Sequence, residues 1–145
     1  MTVSYNEPIT FGLDGNASGL NCSGIDFSEE GLRSWTCLPT AEMDIQLPFA
    51  RQDVVMQIEA SPFLVPDAIA AQNVFIFMGG LFVGYYTLTG HAVREFPVNR
   101  NVVSGRATRL CLVIPTATSP KALDMSEDLR QLGIYLTSIT FKTSP

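Results

Sequence analysis

This 145-residue chain contains one histidine, His91. Any catalytic mechanism that uses a histidine would therefore have to use this residue. A hydrolytic triad places a histidine beside a nucleophile and an orienting acid. The chain has no Gly-x-Ser-x-Gly nucleophile elbow, and His91 follows Thr89-Gly90 in a pattern typical of an exposed turn. We therefore predict a protein that is not an enzyme. A hydrolase remains a third hypothesis, which requires His91 within hydrogen-bond reach of a serine or cysteine in a pocket.

Paired carboxylates could cleave glycosidic bonds, and the acids that could form such a pair are Glu29, Glu30, Asp44 and Glu59. Glu29 and Glu30 are adjacent in a predicted loop, whereas Asp44 and Glu59 lie on the polar faces of predicted strands. Ordinary solvated charge explains all four, so we predict no catalytic pair.

Metal binding is not predicted either. Residues 14–19 match the opening of an EF-hand loop, Asp-x-Asn-x-Ser-Gly, but Ile25 replaces the bidentate glutamate and no flanking helices are predicted. Cys22, Cys37 and Cys111 are widely spaced without a Cys-x-x-Cys motif, so they indicate free buried thiols; Cys22–Cys37 is the one bridge to consider if the chain is exported. We expect no cofactor, while a structural calcium elsewhere stays open.

Sugar binding by a β-rich protein needs flat aromatic rings and polar side chains that pair with hydroxyl groups. The candidate binding residues are Trp35, Tyr86, His91, Arg94 and Asn99. Tyr85 and Tyr86 point to opposite faces if they share a strand, so one of them at most faces outward on a given side. Each residue alone is typical of a structural role, and a cluster on one concave face would be needed to form a site.

The composition limits the possible partners. Apolar residues make up 46% of the chain and charged residues 16%, which argues against disorder. The net charge of −5 argues against nucleic acid or an anionic membrane as a partner. The longest apolar stretch, residues 74–88, is too short and glycine-rich for a membrane span. The amino terminus lacks the pattern of a secretory signal, so we expect a cytoplasmic protein.

The elements that would position these residues are short β-strands. Gly-Gly at 79–80 between two β-prone runs predicts a hairpin, and helical turns are expected only near 68–71 and within 115–128. The predicted strands are Thr2–Phe11, Gly31–Trp35, Ala41–Leu47, Val54–Ala60, Asn73–Met78, Leu81–Leu88, Ala92–Val98, Arg109–Ile114 and Gly133–Phe141. Short strands separated by Gly/Pro turns predict one all-β domain over residues 1–145, an antiparallel β-sandwich that is jelly-roll-like.

Two further segments form a recognisable pattern. Residues 24–36 contain an acid, a glycine and Arg33-x-Trp35; residues 115–136 contain Ser119-Pro120 and then Ser-x-Asp-x-Arg-x-Leu-Gly-Ile. This order resembles a β-sandwich domain appended to bacterial cell-surface polysaccharide glycosyltransferases and phosphoglycerol transferases, over roughly residues 20–141. From the residues themselves, we expect Arg130 to tie a long loop to the sandwich through an acid such as Glu30 or Asp128.

The resemblance implies an accessory, non-catalytic domain that is carbohydrate-associated and serves bacterial surface-polysaccharide assembly. The expected partner is a glycan or a glycosyltransferase. The alternative function is a structural or protein-interaction β-sandwich that self-associates as a homo-oligomer through an exposed apolar sheet such as residues 74–83, with no sugar ligand.

Overall fold

A computed structural model describes residues 2–143 of the chain. Ten β-strands account for most of the regular structure, and helical structure in residues 2–143 is limited to three short 3-10 turns. The strands are β1 (Ile9–Thr10), β2 (Cys22–Ser23), β3 (Ser34–Trp35), β4 (Thr40–Gln46), β5 (Val54–Pro62), β6 (Gln72–Met78), β7 (Leu81–Leu88), β8 (Ala92–Val98), β9 (Ala107–Val113) and β10 (Ile134–Thr143). The 3-10 turns are Ala17–Gly19, Arg100–Val102 and Lys121–Leu123.

The strands form two five-stranded antiparallel sheets. Sheet A has the order β1-β10-β5-β8, and β3 pairs with β10 beside β1; sheet B has the order β2-β4-β9-β6-β7. The antiparallel β-sandwich predicted from the sequence is confirmed, and β9 lies at the centre of sheet B.

The core lies between the two sheets because alternate side chains of each strand point inward. In β5 the side chains of Val54, Met56, Ile58 and Ala60 are fully buried, as their alternation with polar residues predicts. β10 contributes Ile134 and Leu136 in the same way. The residues between them therefore lie on the outer face of sheet A.

The Gly-Gly hairpin is confirmed between β6 and β7. Gly79 and Gly80 have φ values of 60° and 80°, the left-handed conformation that tight hairpins require. The register shifts between Ile76 and Phe77, so that Val83 is an extra residue of β7.

Two predicted elements were wrong. The strand expected over residues 2–11 contains only Ile9–Thr10, because Asn6 has a φ of 64° and Pro8 cannot donate to a ladder. Helix is absent from residues 68–71, where an isolated bridge joins Val65 to Ile69 and Asp67 has a φ of 64°.

All three cysteines are free thiols, each partly buried. Residues 2–143 contain no helix with the length and hydrophobicity that a membrane-spanning segment requires.

Candidate functional site

A row of four side chains crosses the outer face of sheet A. Tyr135 on β10 lies opposite Trp35 on one side and opposite Ser61 on the other, and His91 is hydrogen-bonded to Ser61. Three strand spacings give this row a length of roughly 14 Å. We call Trp35, Tyr135, Ser61 and His91 the cross-strand row.

The neighbours of the row along each strand confirm that it faces outward. Ser34 and Thr36 flank Trp35 and are fully buried, as are Ile134 and Leu136 on either side of Tyr135. Since successive side chains in a strand alternate between faces, the rings between them must point away from the core.

Aromatic rings form one half of the row. The Trp35 and Tyr135 ring centroids are 4.6 Å apart with planes inclined by 31°. Phe63 meets Trp35 edge-on at 5.9 Å, and the Arg33 guanidinium lies 6.0 Å from the Tyr135 ring centroid. These are preferred geometries for aromatic pairs and cation–π contacts, so the two rings are held in place by their neighbours.

Hydrogen-bonding groups form the other half of the row. The His91 Nδ1 atom lies 2.7 Å from the Ser61 Oγ, and its Nε2 atom lies 2.8 Å from a carboxylate oxygen of Glu59. The His91 side chain is 47% exposed and that of Glu59 31%. The hydrogen-bonded group of Ser61, His91 and Glu59 therefore lies partly exposed next to the aromatic pair.

A charged cluster borders the Trp35 end of the row. Arg130 bonds Asp128 through two guanidinium nitrogens and Asp26 at 2.9 Å, and it lies 3.8 Å from Glu29. Glu29 in turn accepts a hydrogen bond from the Tyr135 hydroxyl at 3.0 Å. The predicted tie between Arg130 and Asp128 is confirmed, with Asp26 and Glu29, instead of Glu30, as the additional acids.

Burial and hydrogen bonding shift the ionisation of this cluster. Hydrogen bonds from Ser28 and then from Arg130 lower the pKa of Asp26, and the hydrogen bonds from Arg130 lower the pKa of Asp128. The pKa of Tyr135 is raised by burial and by its hydrogen bond to Glu29. Asp26 and Asp128 are consequently ionised at neutral pH, while the Tyr135 phenol is protonated.

Thr36 and Gly133 hold β3 against β10 beneath the row. The Thr36 hydroxyl accepts a hydrogen bond from the Ile134 backbone N–H at 3.0 Å, and the Thr36 N–H donates to the Ile134 carbonyl. A Cβ on Gly133 would lie 3.0 Å from both the Thr36 Oγ1 and Ile114. The absence of a side chain at residue 133 thus permits the close approach that aligns Trp35 with Tyr135.

Of the five predicted binding residues, Trp35 and His91 lie in the row and Tyr86 does not. Tyr86 is 6% exposed, and its ring packs against Phe96 between the sheets with centroids 5.2 Å apart. It cannot stack on a sugar at the surface because Tyr85, its neighbour, takes the outward position in β7. Burial raises the pKa of Tyr86, whose hydroxyl has no hydrogen-bond partner in residues 2–143.

Arg94 and Asn99 are also outside the row. Arg94 is exposed on β8 but pairs with the buried Ile58, so its side chain starts from the inner side of this edge strand. Asn99 caps the 3-10 turn by accepting a hydrogen bond from Asn101. It lines a cleft near Val54, at the opposite end of β5 from Ser61.

The row includes residues that sequence reasoning did not select, chiefly Tyr135 and Ser61. The alternation in β10 predicts the position of Tyr135, because placing Ile134 and Leu136 in the core leaves the Tyr135 side chain on the outer face. No local signal indicates that Tyr135 pairs with Trp35, a residue one hundred positions earlier.

Sheet B carries a second exposed aromatic surface, which we call the aromatic patch: Phe75, Phe77, Phe82 and Tyr85. The Tyr85 ring packs against Phe75 with centroids 4.7 Å apart and planes inclined by 42°, and Phe82 meets Phe77 at 5.7 Å. Phe82 is 61% exposed and Tyr85 47%. The patch lies on the β6–β7 hairpin, which contains residues 74–83, the exposed apolar surface predicted from the sequence.

Ser61, His91 and Glu59 satisfy the distances of a hydrolytic triad but not its full geometry. Oxyanions in acyl transfer are bound by backbone N–H groups, commonly that of the residue after the nucleophile. The residue after Ser61 is Pro62, which has no N–H. The arrangement therefore lacks this oxyanion donor.

Side chains in the segment that matched the opening of an EF-hand loop form hydrogen bonds with the protein's own backbone. Asp14 accepts a hydrogen bond from the Gly31 N–H, and Asn16 accepts one from the Thr10 N–H. Within residues 2–143, no group of three or more His, Cys, Asp or Glu side chains is arranged to hold a metal ion.

Solved structures with similar folds include carbohydrate-binding modules. The CBM36-1 domain of a multidomain xylanase from the hindgut metagenome of Trinervitermes trinervoides has a TM-score of 0.57 and 10% identity, covering 96% of this chain and 98% of that one. A β-1,3-glucan-binding CBM6 from Bacillus halodurans has a TM-score of 0.56 and 10% identity, covering 99% and 100%. CsCBM6-3 from Clostridium stercorarium, in complex with cellobiose, has a TM-score of 0.54 and 11% identity, covering 99% and 98%.

At these identities the similarity establishes the β-sandwich fold. No protein-family model matches the chain, and no curated protein matches it.

Proposed function

We propose that this protein is a non-catalytic module that binds a glycan along the cross-strand row of sheet A. The observation that carries the proposal is the closely packed Trp35–Tyr135 ring pair in line with the hydrogen-bonded side chains of Ser61 and His91. Aromatic faces pack against the apolar faces of sugar rings, and polar side chains pair with their hydroxyl groups. The carbohydrate-binding modules of similar fold support this class of ligand.

The charges around the row favour a neutral glycan. Four carboxylates and two guanidinium groups border it: Asp26, Glu29, Glu59, Asp128, Arg33 and Arg130. The excess of carboxylates, together with the net charge of −5, repels an anionic polysaccharide. A neutral chain meets no such barrier.

The biological ligand in this proposal is a bacterial surface polysaccharide, and the partner is a glycosyltransferase that acts on it. Support comes from the two segments that resemble domains of polysaccharide-assembly enzymes. These segments are far apart in sequence but are joined by the Arg130–Asp26 ion pair at the end of the row. Copurification with a transferase encoded in the same genome would test the partner separately from the ligand.

Intrinsic fluorescence provides a direct assay, because Trp35 is the only tryptophan and lies in the row. Titration with cellobiose and with β-1,3-glucan oligosaccharides is expected to change its emission and saturate. Calorimetry should give the same dissociation constant. Absence of saturable binding to a broad panel of neutral glycans at millimolar concentration would refute the proposal.

Two matched tyrosines make the assay specific. Tyr135→Ala should weaken binding about tenfold, which corresponds to about 1.4 kcal/mol, because it removes one ring of the Trp35–Tyr135 pair. Tyr85→Ala is the control, since the Tyr85 ring packs against Phe75 at nearly the same centroid distance but lies on the other sheet. Equal losses in both variants would show that the row is not the site.

The aromatic patch favours a second candidate function, self-association through sheet B without a sugar ligand. Exposed contiguous apolar surfaces mark interaction sites, and Phe82 and Leu81 are both more than half exposed. Sedimentation at increasing concentration should then reveal a dimer that Phe82→Lys disrupts. A monomer at all concentrations would eliminate this candidate.

A further inference from the structure

The hydrogen-bond network at the His91 end of the row has a defined polarity. An ionised carboxylate can only accept hydrogen bonds, so the His91 Nε2 atom, 2.8 Å from the Glu59 oxygen, must carry a proton. In the neutral imidazole the other nitrogen, Nδ1, is then an acceptor. The Ser61 hydroxyl, 2.7 Å from Nδ1, consequently donates its proton to the ring.

This polarity determines what Ser61 can offer to a molecule on the row. While its proton is committed to His91, the Ser61 oxygen presents only lone pairs outward. We propose that Glu59 and His91 act as positioning residues that make Ser61 a hydrogen-bond acceptor for a ligand hydroxyl, and that protonation of His91 reverses this polarity. The inference rests on the proposed glycan-binding function and specifies which ligand groups the Ser61–His91 half of the row binds.

Protonation of the ring changes the network without moving it. An imidazolium donates through both nitrogens, so its Nδ1–H group would donate a hydrogen bond to the Ser61 oxygen. The Ser61 hydroxyl would then be free to donate a hydrogen bond to the ligand. The oxygen would then be a poorer acceptor, because it already accepts from a cation. A ligand hydroxyl that donates to Ser61 is therefore bound more weakly at acidic pH.

The surroundings of His91 leave Glu59 as its main electrostatic partner. The other titratable groups on the adjoining strands are Tyr135 and Lys142 on β10 and Arg94 and Glu95 on β8. Lys142 and Glu95 pair with each other at 3.4 Å, farther along β5 from Ser61. Burial raises the pKa of Tyr86, and the charge of Arg94 partly offsets this effect. Among residues 2–143, Glu59 is the acid within salt-bridge distance of the ring.

Nuclear magnetic resonance can test the network without a ligand, because His91 is the only histidine and gives a single set of ring signals. The ring ¹⁵N shifts of the wild-type protein at pH 8 should show the Nε2–H tautomer. Glu59→Gln should yield a mixture of both tautomers, since an amide can donate or accept. A wild-type ring in the Nδ1–H form at pH 8 would overturn the inference.

Calorimetry with cellobiose and a β-1,3-glucan oligosaccharide then tests the consequence for binding. Affinity should fall roughly fivefold from pH 8 to pH 5, the effect of about one hydrogen bond, with the midpoint of the His91 titration seen by NMR. His91→Gln and Ser61→Ala should bind with no pH dependence, and Ser61→Ala should match the weaker, acidic affinity.

The outcomes separate this inference from the proposed function. Binding that is equal at pH 5 and pH 8 while His91 titrates would overturn the polarity inference and leave glycan binding intact. Failure of every glycan to bind would refute the proposed function and, with it, the role of Ser61 toward a ligand, whereas the tautomer measurement would still decide the polarity of the network.

Discussion

Thr36→Val tests how the site is attached to the core. Thr36 is fully buried, and its hydroxyl accepts the Ile134 N–H at 3.0 Å. Valine has nearly the same shape but cannot accept a hydrogen bond, so the Ile134 N–H would be buried without a partner. Because this strand junction aligns the Trp35 and Tyr135 rings, the change should affect both stability and the site.

The expected loss of unfolding free energy follows from the number of buried polar groups that lose a hydrogen-bond partner. The Ile134 carbonyl keeps the hydrogen bond from the Thr36 N–H at 2.9 Å, so a single buried N–H is orphaned. A buried unsatisfied donor costs about 1–3 kcal/mol, and we expect about 2 kcal/mol less unfolding free energy. For a domain of this size that corresponds to a Tm lower by roughly 4–8 °C.

The assay combines urea denaturation with the fluorescence of Trp35. Thr36→Val should shift the midpoint of unfolding and also change the native emission spectrum, whereas Thr36→Ser, which retains the acceptor, should be closer to the wild type in both. A Thr36→Val variant as stable as the wild type, or a Thr36→Ser variant that loses as much, would refute the assignment of the effect to this hydrogen bond.

Three other predictions concern the core, the ion pairs and the thiols. Gly84→Ala should lower the unfolding free energy by about 1–3 kcal/mol, since its Cβ would lie within 2.4 Å of the Phe96 ring; Gly90→Ala, with open space around it, should change urea stability little. Hydrogen bonds from Ser28 lower the pKa of Asp26. The ionised Asp26 carboxylate therefore stabilises the fold fully above about pH 3.9, the pKa of this group in the unfolded chain, and this stabilisation is lost at lower pH. Asp26→Asn should accordingly show a weaker pH dependence of urea stability below pH 4. Burial raises the pKa of all three cysteine thiols, so they should react slowly with a disulfide reagent at pH 8 and rapidly in denaturant.

The sequence alone determined most of the secondary structure and the choice of core. Alternation in β4, β5 and β10 identified the inward residues because a strand on a sandwich has one buried and one solvated face. The glycine pair at 79–80 located the hairpin, since positive φ is accessible to glycine at little cost. These are local properties, and each can be read from neighbouring residues.

Only the tertiary structure decided which outward residues meet. Trp35 and Tyr135 are one hundred positions apart, and their contact depends on the pairing of β3 with β10. The position of Tyr86, assigned to the ligand from sequence and found in the core, was set by the face of β7 that packs against sheet A. Strand pairing across long separations depends on the fit of the whole core, so composition and periodicity could supply the components of the cross-strand row but not their arrangement.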